Sequence, residues 1–303
     1  RIENEEENVE EYNADIQMTL EDVKELVEDL ELELLKSDEM TWEQEQKVTE
    51  TMEKMDAIFS QIEKIQESMQ KIQDQAEQNN LISDELVDKF SQFQELLNDM
   101  MTPELLAAME KMQDAMETMD PQKLLDALED FEFDMEAFEE QLDRFIDMFE
   151  LAQAEQKMYE VVKRLEKMVE EQAAIVEEFS ENESLDMTIM ASRERRQEKS
   201  FKALEQAMDE ASVAMEKLSP DAAQNLSDLA DSELAETTLS DLHDARIEMQ
   251  SKNQISASQY AGKASGSLEE MLEIAQEIQL DFQENTVDEM LRKFLALISN
   301  LLF

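Results

Sequence analysis

The sequence predicts an all-α protein, an elongated antiparallel helical bundle or coiled coil built around a long central helix. Three observations predict it. The 303 residues include only two glycines, Gly262 and Gly266, and three prolines, Pro103, Pro121 and Pro220. Tight and left-handed turns ordinarily use both residue types, so turns here are few and helices long. Each proline follows Thr102, Asp120 or Ser219. That is the pattern of a helix start, where a side-chain oxygen caps the orphan amides and proline takes the first helical position. The apolar residues, finally, recur at heptad spacing over long tracts, which separates the chain from disordered acidic sequences.

Taken in order, residues 1–15 are almost wholly polar and read as a linker. From Ile16, helical spacing carries Leu20, Val23, Val27, Leu30 and Leu34, and Ser37 offers a cap for the next helix. Val48, Met52, Met55, Phe59, Ile62, Ile65, Met69, Ile72 and Ala76 form a seam with one three-residue irregularity at Ile62 to Ile65. Such a stammer locally overwinds a coiled coil. Gln78, Asn79 and Asn80 mark a turn, and Leu86, Phe90, Phe93, Leu97 and Met100 line a return helix that stops before Pro103.

The longest element covers residues 121–180, which contain no breaker after Pro121 and correspond to about 90 Å of helix. Leu128, Phe131, Met135, Phe138, Leu142, Phe145 and Phe149 alternate steps of three and four. After a phase change through Leu151 and Ala152, the stripe resumes at Met158, Val162, Leu165, Val169, Gln172, Val176 and Phe179. Residues 181–184 read as a break. Beyond it come Phe201, Leu204, Met208, Ala211 and Met215, then a small-residue face at Ala257, Ala261, Ala264, Leu268, Met271, Ala275, Ile278 and Phe282. Thr286 to Glu289 has the form of a capping box before a last helix. The expected organisation is a linker over 1–15, a long-helix coiled-coil region over 16–184, and an Ala/Ser-richer helical bundle over 185–303.

Charge sets the partner logic. With 78 acidic against 26 basic residues the formal net charge is −52, a field that repels phosphate backbones and anionic lipid heads. Nucleic acid is therefore not an expected partner, and helices of this or another protein are. Unspecific divalent cations on the acidic faces remain open. No cysteine is present, so disulfides and thiolate sites are excluded, while the compartment is left undecided. The single histidine, His243, rules out two-histidine metal motifs, and no glycine-rich phosphate loop or serine elbow exists. Neither catalytic residues nor a cofactor is expected. The chain begins with Arg1 rather than Met, which points to a piece of a longer protein; any membrane anchor lies outside these residues.

Two groups are candidate binding sites. The 22 methionines mostly occupy seams, where core packing explains them. Met100, Met101, Met109, Met112, Met116 and Met119 cluster on short helices that could open to receive a partner, because Met adapts to varied surfaces. The one basic island, Arg193, Arg195, Arg196 and Lys199, suits docking on an acidic face of the same molecule or of another copy.

Leu142-Asp143-Arg144, Glu155-Gln156-Lys157 and the Leu165 to Gln172 helix resemble a segment of large bacterial, membrane-anchored, coiled-coil-rich proteins, many of them from Bacteroidetes, that form a domain family of unknown function. A second similarity runs through Gln259 to Ala264, Ser267 to Met271, Met290 to Lys293 and Leu301-Leu302, so that the resemblance covers residues 95–303. It implies a membrane region upstream of Arg1 and a helical part outside the bilayer, and it carries no catalytic residues. The expected role is a non-enzymatic scaffold or spacer segment of a bacterial envelope protein. The alternatives are an intracellular, cytoplasmic coiled coil binding client peptides on Met-rich helices, and a low-affinity cation-binding acidic protein.

At three acids per base, folding crowds like charges that the unfolded chain spreads apart. Added salt screens that repulsion, so the melting temperature is expected to rise between low and moderate ionic strength. Thermal melts in a salt series check this; a fall on adding salt would assign the stability to specific ion pairs.

Overall fold

The computed structural model describes residues 2–37, 39–78, 84–181 and 185–301, and every regular element among them is an α-helix. In order these are α1 (Ile2–Leu34), α2 (Trp42–Gln78), α3 (Asp84–Met100), α4 (Pro103–Thr118), α5 (Pro121–Glu181), α6 (Met187–Met215), α7 (Pro220–Ala230), α8 (Glu233–Gln250) and α9 (Gln254–Leu301). The contacts divide them into two compact units, Arg1–Phe149 and Glu150–Phe303, so that α5 contributes to both.

In the first unit α1 and α2 form an antiparallel hairpin with matched seams. α1 buries Val9, Asn13, Ile16, Leu20, Val23, Val27, Leu30 and Leu34, alternating steps of four and three. The linker expected over residues 1–15 is instead helix from Ile2, because Val9 and Asn13 extend the seam two steps upstream. α2 buries Gln44, Val48, Thr51, Met55, Ile58, Ile62, Ile65, Met69 and Ile72. This run has no stammer. The irregularity read from the sequence came from placing Met52 and Phe59 on the seam; both are half-buried flanks, and Thr51 and Ile58 take the core positions. Thr51 is tolerated there because its hydroxyl donates to the Lys47 carbonyl at 2.9 Å. Polar rungs repeat every seven residues beside the seam: Lys47 to Glu33 at 2.8 Å, Lys54 to Asp22 at 2.8 Å, and Gln61 to Asp15 at 3.3 Å.

The cap of α2 is Thr41, not Ser37. The Gln44 amide donates to Thr41 Oγ1 and Thr41 N–H donates to Gln44 Oε1, a reciprocal capping box. The turn expected at Gln78 to Asn80 falls mostly outside the described residues. α3 and α4 follow as one rod broken at Thr102, which accepts the Leu105 amide at 3.1 Å. Phe93 of α3 meets Phe145 edge-on, with ring centroids 5.8 Å apart, and lies 6.3 Å from Phe149, bringing α5 into the bundle. Lys24 pairs with Glu139 and Lys111 with Asp130, so α5 packs against α1 and α4. With glycine absent, the α4–α5 turn is made by Met119 in the left-handed region (φ 53°). Asp120 then receives the Gln122 and Lys123 amides and starts α5.

α5 is a single helix of 61 residues, as its lack of breakers predicts. Its N-terminal stripe from Leu128 to Phe149 is buried as expected. The phase change through Leu151 and Ala152 coincides with the division between units. Beyond it the core positions are Met158, Val161 together with the expected Val162, Leu165, Met168, Gln172 and Ile175; Val169 and Val176 flank them, half-buried.

In the second unit α6 packs on α5 through Gln197, whose amide donates to the Met168 carbonyl at 2.8 Å, and on α8 through an Arg246–Glu198 pair at 2.8 Å. α7 and α8 again make a broken rod, with Ser232 capping the Ala235 amide. α9 closes the bundle with Ala257, Ala261, Ala264, Leu268, Met271, Ala275, Ile278 and Phe282 buried. Its small side chains let α8 approach through Ala235, Leu242, Ala245 and Met249. Two of the expected capping residues start no helix with their side chains. Ser219 makes no side-chain cap for α7; its hydroxyl accepts instead from Asn285 at 3.4 Å. Thr286 lies within continuous α9, its hydroxyl donating to the Phe282 carbonyl at 2.9 Å, so it starts no helix. The break expected at 181–184 lies almost wholly outside the described residues. The composition change near 185 and the division at Phe149 are thus different features of the chain.

Ile58 and Phe59 separate the two seam assignments. Ile58→Asp places an unpaired charge on a fully buried position and should lower stability by about 3–5 kcal/mol; Phe59→Asp should cost about 1 kcal/mol. Chemical denaturation of both variants checks the order, and a larger loss for Phe59→Asp would restore the stammered register.

Candidate functional sites

The methionine cluster is divided by the fold. Met100, Met109 and Met112 are buried in the first unit, Met101 and Met116 are half-buried, and Met119 is exposed at the turn. Met116 presents its sulfur to the Thr49 hydroxyl at 3.7 Å, an α2–α4 contact. The six residues therefore line no common open groove. A shallow α4–α5 cleft of about 590 Å³ includes Ala115 and Thr118, the neighbours of Met116 and Met119, but is walled mainly by charged side chains, among them Lys111, Asp130 and Lys123.

The basic island is divided as well. Arg193 pairs with Glu178 of α5, while Arg195, Arg196 and Lys199 are exposed on α6. Glu198, between them, takes Arg246 at 2.8 Å, with Lys202 at 3.9 Å and His243 Nδ1 at 3.5 Å. Burial alone would raise the Glu198 pKa, but the Arg246 hydrogen bond and charge, helped by His243, outweigh it and lower it.

Among the described residues the most strongly perturbed group is one that sequence reading missed. Glu194 is fully buried, and so are Gln172 and Gln197, at 0% and 1% exposure. Gln172 Nε2 donates to both Glu194 carboxyl oxygens, at 3.1 and 3.4 Å, and to the Ala261 carbonyl at 3.3 Å, tying α5, α6 and α9 together. This polar layer separates two apolar clusters, one including Leu165, Phe201 and Leu268, the other including Ile175, Met190 and Ala261. Burial pushes the Glu194 pKa up to about 7; the Gln172 hydrogen bond and Arg193 oppose that rise, and Glu198 adds to it. In the neutral acid form Glu194 has a hydrogen to donate. Gln197 Oε1, one turn along the same face, and Gln172 Oε1 are both buried acceptors without a donor. The signal was present in the sequence: Met190, Glu194, Gln197, Phe201, Leu204, Met208, Ala211 and Met215 keep unbroken four-three spacing.

Among the described residues no group of three or more His, Asp or Glu side chains is placed to hold a metal ion, and no helix is long and apolar enough to cross a membrane. Comparison with protein-family models, curated proteins and solved structures finds no match to the chain.

The layer has a pH signature. The unfolded Glu194 pKa is the ordinary one near 4.5 and the folded one is about 7, so the folded state holds the extra proton between them. Glu194 ionisation therefore removes stability as pH rises from about 4.5 to 7, about 3 kcal/mol in all, and the penalty stays in place above that window. Glu194→Gln should be more stable than the parent at pH 8 and close to it at pH 4.5. Urea denaturation at the two pH values checks this; an equal difference at both would show that Glu194 does not titrate across the window.

Proposed function

We propose that this chain is a non-enzymatic helical scaffold and spacer segment of a larger bacterial envelope protein, and that its role is protein–protein assembly. The observation that carries the reading is α5, a 61-residue helix that supplies core side chains to both units. Each unit closes its own seams with Phe, Leu, Ile, Ala and Met, so α5 is braced by packed partners on both sides of Phe149. The apolar side chains left outside the seams are consistent with contacts to other proteins. Leu35 and Trp42 are both 71% exposed beside the α1–α2 turn, and Phe133 is 74% exposed on α5. Placement in a bacterial envelope rests on the sequence resemblance.

Replacing Leu35, Trp42 or Phe133 by a photo-crosslinking amino acid in the full-length protein, in its native host, tests the reading. Discrete adducts to protein are expected from at least one position. No adduct at any of the three would overturn assembly as the role.

A further inference from the structure

We propose that the basic stripe of α6 and an acidic face formed by α1 and α5 in the first unit are complementary docking patches that join separate copies of this chain head to tail. The proposal rests on the assembly reading and names the partner as a second copy.

The stripe is an anomaly of sign. Residues 193–202 hold five bases, Arg193, Arg195, Arg196, Lys199 and Lys202, against two acids, Glu194 and Glu198, in a chain of net charge −52. One of those acids is buried, and the other is already taken by Arg246. Elsewhere cations meet carboxylates across helices, as Lys47, Lys54 and Lys111 do. Among the described residues no ion pair reaches Arg195, Arg196 or Lys199, which present an exposed positive surface. Ile189, two turns before Arg196 on the same face of the helix, adds an apolar side chain 59% exposed.

The acidic face is an anomaly of the opposite sign. The Lys24–Glu139 pair joins α1 to α5 one turn from Glu28 and from Glu136, both exposed like Glu129, with Glu31 and Glu132 half-buried beside them; Glu132 feels the other four carboxylates. Burial first, and these four carboxylates after it, raise its pKa, and no cation appears among the causes. Phe133 stands beside Glu132, and Leu32, 54% exposed, stands beside Glu31. Each patch thus combines an unneutralised charge with exposed apolar surface, and the signs are complementary. Such surfaces steer encounter and fix register. An acidic patch on one unit and a basic patch on the other make a heterologous contact, which generates rings where the rotation closes and open chains where it does not.

The charge balance gives the contact a distinctive salt dependence. At about 0.01 M salt the Debye length is about 30 Å, and two copies at −52 repel over that range. At about 0.15 M the reach falls to about 8 Å, leaving the local attraction of the patches. At about 1 M, with a reach of about 3 Å, the patches are screened too. Association is therefore expected at the middle salt and not at either extreme.

Sedimentation velocity of the purified chain at these three salt concentrations, over a range of protein concentration, tests the proposal. The expected result is concentration-dependent oligomer at about 0.15 M only. The triple variant Arg195→Glu, Arg196→Glu, Lys199→Glu and the double variant Glu129→Lys, Glu136→Lys should each associate at least tenfold more weakly at that salt, with unchanged helical circular dichroism. A mixture of the two, which restores opposite signs at both contacts, should regain association. A wild type that is monomeric at all three salts, as it would be if the patches met within one molecule, overturns the proposal. So does association that survives both charge reversals. In-cell cross-links to other proteins alongside a monomeric purified chain would sink this proposal and leave the scaffold reading standing.

Discussion

Burial of heptad-spaced apolar side chains against antiparallel neighbours is the interaction on which the rest of the structure depends. Electrostatics cannot take that role in a chain with three acids for every base. Among the described residues several ion pairs are exposed on both sides, as Lys111–Asp130 and Lys163–Glu166 are, and exposed pairs contribute at most about 1 kcal/mol each. Among the described residues, the carboxylates Glu132, Asp134, Glu194, Glu205 and Asp241 have raised pKa values, and Glu198 alone is lowered. Burial is the largest cause in every raised case, with neighbouring acids adding to it. Desolvation, more than crowding of like charges, is the first electrostatic cost that the seams offset.

The same seams explain where polarity is admitted. Asn13 sits on the α1 seam at 6% exposure with its Oδ1 unpartnered, and Thr51 sits on the α2 seam with its hydroxyl satisfied locally. In the second unit three polar seam positions, Gln172 of α5 and the successive Glu194 and Gln197 of α6, meet across the two helices. A polar side chain at a core position costs stability and penalises every register that leaves it facing an apolar side chain. The layer separating the two clusters of the second unit has the arrangement of such a register mark, because sliding α5 along α6 by a heptad would replace Gln172 opposite Glu194 with Leu165 or Phe179, neither of which can donate a hydrogen bond.

The two units follow one plan, with the third of four rods broken in each. The break falls at Thr102 in the first and at Ser232 in the second, and both residues cap the helix that follows. Where glycine would serve as a helix terminus the chain uses Met119 and Lys252 in the left-handed region, at a cost of about 1 kcal/mol each. Both glycines instead lie inside α9. This economy of breakers keeps the helices long.

Helix class and the length of α5 were determined by the sequence alone, because breakers act locally and their absence is visible without a fold. The seams were legible to within one residue. Met52 and Phe59 stand on the sequence stripe where Thr51 and Ile58 take the core, and Val169 and Val176 where Met168 and Ile175 do, because an apolar stripe two residues wide has two edges; at Met52 the more apolar residue is the flank. Only the position of the partner helix decides which edge is core. The boundary between units was written in the phase change at Leu151, yet composition drew attention to residue 185 instead. Tertiary structure alone decided the fate of the candidate residues. It sank Met100, Met109 and Met112 into the core, paired Arg193 with Glu178, and turned Glu194 inward while Arg195 and Arg196 stayed outside. A charged residue in a helix reads as surface until a neighbouring helix covers its face, and that covering depends on side chains distant in the chain.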